Sequence, residues 1–157
     1  MKTTNTRFAV AVHVLTYLAG VTDDRTVSSG EMASSANVSP VYVRRVLGPL
    51  REAGLVRSHR GVHGGWALRA EPERITLAQL WLLFQSDEPV IGVHGPDPAC
   101  ATGRRVQAGL VSINKSIEEA VGAVLGESTI YDMAADHEQN HFRDRGASRG
   151  PSRSHLT

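Results

Sequence analysis

The chain has 157 residues and a formal charge of +1, enough for one ordinary domain with an accessory helix and too short for a second large one. Its one cysteine, Cys100, excludes an intrachain disulfide framework and cannot by itself supply a multi-cysteine metal site. No apolar run reaches the ~18 residues of a membrane span, and Arg7 and His13 interrupt the N-terminal pattern where a signal peptide would have its apolar centre, so a cytoplasmic protein without a membrane partner is expected.

The near-neutral total conceals a segregation. Residues 28–69 carry six arginines against Glu31 and Glu52, a balance of +4, whereas residues 70–140 carry four basic and eleven acidic groups, a balance of −7, and residues 141–157 return to +3. A basic module on an acidic body turns one face toward phosphate while the rest stays soluble.

In chain order, Asn5 to Ala19 reads as a helix with Phe8, Ala11, Val12, Leu15 and Leu18 or Ala19 at helical spacing, stopped by Gly20. His13 lies within it and reads first as a histidine satisfied by one hydrogen bond. Residues 22–27, TDDRTV, form a polar link. Ser28 with Glu31 three residues on has the spacing of a capping box, in which the hydroxyl accepts the N3 amide and the carboxylate returns to the cap amide. Met32, Ala33 and Ala36 give that short helix an inward face, and Asn37 tolerates the turn that follows.

Ser39-Pro40 opens a second helix as cap and first-turn proline. Val43, Val46, Leu47 and Leu50 form its apolar side, while Val41, Tyr42, Arg44, Arg45 and Arg51 include the candidates for its exposed side. Pro49 predicts a bend or break near Gly48-Pro49, because it removes an amide hydrogen bond and clashes with the preceding turn; Gly54 ends the element. Leu55 to Arg57 and Trp66 to Leu68 then read as two strands around SHRGVHGG, whose glycines allow close backbone approach to phosphate while Arg57, Arg60 and His63 supply basic reach. Two capped helices followed by a basic glycine hairpin make a winged helix-turn-helix.

Thr76 is a cap for a helix containing Leu77, Leu80, Trp81 and Phe84, the two aromatics being core or subunit contacts. Residues 87–103, DEPVIGVHGPDPACATG, are rich in turn formers. Arg104 to Leu125 carries a long apolar stripe of Val106, Leu110, Ile113, Ile117, Ala120, Val121 and Val124 or Leu125. A small winged domain leaves such a stripe in need of a cover, and a symmetry mate is an economical one, with packing inside the chain as the alternative. Ser128 or Thr129 caps a short helix through IYDMAA, with Ile130 and Met133 folding back. The expected organisation is a DNA-binding domain over 1–86, a connecting loop over 87–103, a dimerisation helix and short return helix over 104–136, and a disordered basic tail over 137–157.

The ordered series RFAVAVHVLTYLA, SPVYVRRVLGPLREAGLV, RSHRGVHGGWAL, ITLAQLW, PDPACATG and STIYDMA resembles the IscR/NsrR/CymR-type family of bacterial winged helix-turn-helix regulators over about residues 5–136. The resemblance implies a mainly α fold with a β-hairpin wing, and a homodimer on a pseudo-palindromic double-stranded DNA operator, usually as a repressor. Helix 40–47 would read the major groove through Tyr42, Arg44 and Arg45, and wing 57–66 would approach the minor groove or backbone through Arg60 and Gly61. Ser39, Val41, Arg57 and His63 complete the candidate DNA-facing set. Where the family often has a YLEQ-like pattern, this chain has Tyr42-Val43-Arg44-Arg45, which changes the operator it would read. Cluster-bearing relatives place three cysteines in the loop before the long helix; only Cys100 remains here, so no cofactor is expected, an atypical iron–sulfur or metal site with His13 or His94 being the alternative. Cys100 is also the candidate for redox sensing, and an unidentified small molecule is the other signal class. No carboxylate pair, His/Cys dyad or nucleotide loop points to an enzyme. The competing reading is a non-DNA interaction protein or small-molecule sensor that keeps the fold.

Overall fold

Helix α1 (Thr6–Ala19) is followed by α2 (Ser29–Ala36), α3 (Pro40–Glu52), an antiparallel hairpin of β1 (Val56–His59) and β2 (Gly65–Leu68), a single 3-10 turn at Pro72–Arg74, α4 (Leu77–Phe84) and α5 (Ala101–Gly126). The computed structural model describes residues 6–23, 25–85 and 89–135; the expected tail over 137–157 lies outside them. One core joins the pieces, built from Val10, Val14 and Leu15 of α1, Met32 of α2, Val43, Leu47 and Leu50 of α3, Val56 of β1, Leu80 of α4 and Ile130 beyond α5.

Local chemistry explains the helix ends. Ser28, Ser39 and Thr76 each take an extended backbone and accept the amide three residues on, from Glu31 at 3.1 Å, Tyr42 at 3.2 Å and Gln79 at 3.2 Å. At the end of α3, Gly54 has φ 75°, and the amides of Gly54 and Leu55 reach back to the carbonyls of Arg51 and Leu50, both at 2.9 Å. That pair of bonds is a Schellman ending, and it turns the chain directly into the wing. Asn37, at φ 51°, does the same for α2, with Val38 N–H reaching Ala33 O at 3.0 Å.

Four expectations need correction. Of the bend or break expected at Gly48-Pro49 the break does not occur, since helix α3 runs uninterrupted through Pro49: the proline sits in the last turn, costs one amide there, and is preceded by Gly48, which has no Cβ to clash with the ring. The link at 22–27 is not uniformly polar in role, because Val27 is fully buried and exchanges both main-chain hydrogen bonds with Trp66, at 2.9 and 2.8 Å. The capping box at Ser28 forms only in its first half; the Glu31 carboxylate is taken by Tyr17 and Arg25 instead. The loop expected to run to residue 103 yields to helix at Ala101, with Cys100 as its N-cap.

Beyond α5, Thr129 and Asp132 form a reciprocal cap: the Thr129 amide and hydroxyl donate to Asp132 Oδ2, both at 2.8 Å, and Asp132 N–H donates to Thr129 Oγ1 at 3.2 Å. Ile130 is then carried into the core, while Ile130 N–H to Ile75 O and Leu77 N–H to Ser128 O, both 2.9 Å, tie the returning chain to the start of α4. Within the chain α5 packs on α4, and its one buried residue is Asn114. Asn114 accepts from Ile91 N–H at 2.7 Å and donates to Ile91 O at 2.8 Å, holding the preceding loop against the helix as a neighbouring strand would.

Candidate nucleic-acid interface

The division of α3 into two faces decides what it can offer. Val43, Val46, Leu47 and Leu50 are buried, so Val41, Arg44 and Arg45 stand exposed on the opposite side. Ser39 is exposed but has its hydroxyl engaged as the cap. Tyr42 is half-buried and packs against the core, which leaves part of its ring outward. Arg44 is steered by a hydrogen bond from Nη1 to Ser29 Oγ at 3.2 Å, linking it to the first turn of α2.

The wing lies directly after α3 and is registered by Val56 opposite Leu68, Arg57 opposite Ala67, Ser58 opposite Trp66 and His59 opposite Gly65. Arg57, Arg60, Gly61 and His63 are all exposed. The turn is tight: a Cβ on Gly64 would stand 2.6 Å from His59 O and 2.8 Å from Gly61 O, a contact that only glycine avoids. At the base of the wing Thr26 Oγ1 donates to His63 O at 2.8 Å. Among the described residues Arg44, Arg45, Arg57 and Arg60 make no ion pair with a carboxylate, so four guanidinium groups on two adjoining elements keep their charge for an outside partner. Guanidinium groups of this kind suit phosphate oxygens and the paired acceptors of guanine.

Sequence reasoning missed a charged group beside the base of the wing. Tyr17 Oη donates to Glu31 Oε1 at 2.8 Å, and Arg25 grips the same carboxylate with Nη1 at 3.1 Å and Nη2 at 3.0 Å while its Nε lies 3.4 Å from Asp23. The Arg25 and Tyr17 hydrogen bonds hold the Glu31 carboxyl below its ordinary range, and the Glu31 hydrogen bond raises the Tyr17 phenol. Val27 and Met32 carried a usable signal: they occupy the positions before the cap and at the fourth residue of α2, the pair that packs as a hydrophobic staple, and both are fully buried.

Two short capped helices, a basic hairpin and a long carboxyl-side helix in this order match a known group of proteins. Residues 4–136 match the family described as "Rrf2: Iron-dependent Transcriptional regulator". The chain belongs to the Rrf2 family. It is 33% identical over 130 residues to the putative HTH-type transcriptional regulator YwnA of Bacillus subtilis, covering 82% of this chain and 95% of that relative. The solved structure of CymR, the global cysteine regulator of B. subtilis, superposes with a TM-score of 0.62 at 28% identity, covering 86% of this chain and 98% of that one. A putative transcriptional regulator from Lactobacillus plantarum gives a TM-score of 0.73 at 25% identity, covering 90% and 99%. As an Rrf2 protein the chain is a DNA-binding transcriptional regulator, a member of a family of regulators and not of enzymes.

The iron in the Rrf2 description does not fit the donors present. Cys100 is the chain's one cysteine; it is exposed, and its Sγ accepts the Gly103 amide at 3.4 Å as the cap of α5. His94 is exposed on the same loop, while His13 lies on α1 with Nε2 2.9 Å from Ser35 Oγ. Among the described residues no group of three or more His, Cys, Asp or Glu side chains could hold a metal ion, and a cluster needs several such donors at once. No helix among them is long and apolar enough to cross a membrane.

Proposed function

We propose that this Rrf2 protein acts as a homodimer that recognises a pseudo-palindromic operator and represses by occupying it. The observation that carries the reading is the outward face of α3: Val41, Arg44 and Arg45 are exposed because Val43, Val46, Leu47 and Leu50 hold the other side of the helix in the core, and Arg57 and Arg60, without a carboxylate partner among the described residues, continue the basic surface onto the wing. In this reading Arg44 or Arg45 meets base edges in the major groove, with Val41 and the outer part of Tyr42 beside them. Ser39, Arg57, Arg60, Gly61 and His63 position the backbone or enter the minor groove. Dimerisation is supported by α5, where Val106, Leu110, Ile113, Ile117, Ala120 and Val124 alternate at spacings of four and three, and Val106, Ile113 and Val124 remain exposed in the single chain. The repressor role follows the family resemblance and the steric logic of operator occupancy.

The test is titration of upstream DNA and of an unbiased duplex library with purified protein, in competitor DNA and at several salt concentrations. Sequence preference should survive competition, and full-affinity sites should contain two half-sites bound by two chains. Arg44→Ala or Arg45→Ala should relax preference at one base position by about 1–3 kcal/mol. If both substitutions weaken all sequences equally, the two arginines contact phosphate and the reader lies elsewhere.

A further inference from the structure

We propose that the open cavity of about 770 Å3 behind the reader is an effector site for a small organic cation, a primary ammonium group on an apolar body. Its volume is that of small-molecule sites in general, roughly 300–1,000 Å3. His13, Thr16 and Tyr17 of α1, Gly20 just past its end, Asp23 and Arg25 of the link and Met133 of the return segment line the cavity. Thr16 Oγ1 is the one buried side-chain polar atom among the described residues without a hydrogen-bond partner.

The charge of the walls selects the ligand. Asp23 and Arg25 are the cavity's charged lining residues; Arg25 directs Nη1 and Nη2 to Glu31, which lies outside the lining, while its Nε lies against Asp23. Its positive charge is therefore committed within the protein, whereas the Asp23 side chain is 68% exposed and can accept from a ligand. An ammonium at Asp23 gains a charge-assisted hydrogen bond; an anion in the same place would be repelled by the Asp23 carboxylate. The Tyr17 ring, Val21 and Met133 offer contact to an apolar body and, at the ring, to the cation itself.

The position gives binding a consequence. Arg25 also lines a smaller cavity, of about 420 Å3, with Thr26, Ser28, Glu31, His63 and Gly64 at the base of the wing. A cation that takes Asp23 from Arg25 alters the one side chain shared by the two cavities, next to the cap of α2 and the wing turn. The effect on DNA rests on the operator-binding function proposed above; occupancy of the cavity does not.

Calorimetric titration of the full chain without DNA tests the site with three probes of one shape: benzylamine, benzyl alcohol and benzoate. Benzylamine should bind once per chain, the alcohol roughly tenfold or more weakly, because its hydroxyl can still donate to Asp23 but brings no positive charge, and benzoate not detectably. Asp23→Asn should reduce benzylamine to the level of the alcohol. Gly20→Phe should weaken binding by placing a ring in the cavity; a Cβ there meets only Tyr17 O at 3.6 Å and Thr16 O at 3.7 Å, ordinary contacts, and thermal unfolding of the variant checks that the fold is kept. Absent benzylamine binding, equal binding of all three probes, tighter binding of benzoate, or indifference to Asp23→Asn would each overturn the proposal. Because no DNA is present, failure here is separate from failure of the operator titration.

Discussion

Helices α3 and α5 show the same amphipathic signal meeting two different fates. In α3, thirteen residues long, the apolar side is consumed within the chain: Val43, Val46, Leu47 and Leu50 are all buried. In α5, twice that length, the one buried residue is Asn114, while Ile113 beside it stays 49% exposed. An apolar stripe therefore says that a face will be covered and leaves open by what. For α3 the cover is α1, α2 and the wing strand; for α5 it is partly α4 and, in the proposed dimer, a second α5.

This contrast can be broken most forcefully by substituting one residue in each stripe. Leu47→Ala removes a fully buried side chain and should cost about 2–5 kcal/mol of unfolding free energy, depending on how far the site collapses. Urea unfolding should show that loss as a concentration-independent fall in the protomer's intrinsic stability, separate from any dimer term. Ile113→Glu should behave differently. The protomer keeps its fold because the side chain faces outward, but a carboxylate buried at a two-fold seam costs ~3 kcal/mol or more, roughly a hundredfold in dimer dissociation constant. Sedimentation should then show monomers, with operator affinity falling in parallel. A dimer unaffected by Ile113→Glu would place the subunit contact off the stripe.

How much of this was legible depends on contrast within each segment. The α3 faces could be read directly because valines and leucines alternate with arginines at helical spacing. The α1 phase could not: FAVAVHVLTYLA is apolar nearly all round, so Phe8 and Val12 were expected inside, whereas Val10 and Val14 are the deeper residues and Phe8 and Val12 only flank the core. Phe8 instead meets the edge of Trp81, ring centroids 5.6 Å apart, an aromatic contact that no local pattern announces. Asn114 was invisible for a related reason. A lone asparagine on a helix looks solvated, and only the returning loop supplies the Ile91 amide and carbonyl that make its burial tolerable.

A smaller effect sharpens the α3 side of the comparison. Ser39→Ala removes the hydroxyl that accepts Tyr42 N–H and should cost ~1 kcal/mol, the usual worth of an N-cap. The same substitution should also weaken operator binding, because the cap sets the start of the helix on which Val41, Arg44 and Arg45 are displayed. Ser39→Asp restores a capping oxygen but adds negative charge at the DNA surface, so it should recover stability without recovering affinity. If Ser39→Asp recovers both, the helix start does not lie against DNA.

The smallest effect lies beside the base of the wing, at Glu31. Its folded-state pKa is depressed, by Arg25 first and Tyr17 second, so the native protein binds fewer protons at this site than the unfolded chain does. The stabilisation is fully present above the ordinary value of 4.5 and is lost as pH falls through the lowered folded value. Unfolding curves for the wild type and Glu31→Gln should therefore differ most near neutral pH and converge in acid. The gap should be modest and should shrink with salt, because Arg25 is exposed and water screens the pair. Tyr17→Phe should remove part of the same pH-dependent gap, since it deletes one of the two donors while leaving the Arg25 pair in place. A gap that persists unchanged into acid would mean that the difference does not come from the ionised carboxylate, and that Arg25 and Tyr17 do not hold it in its charged form.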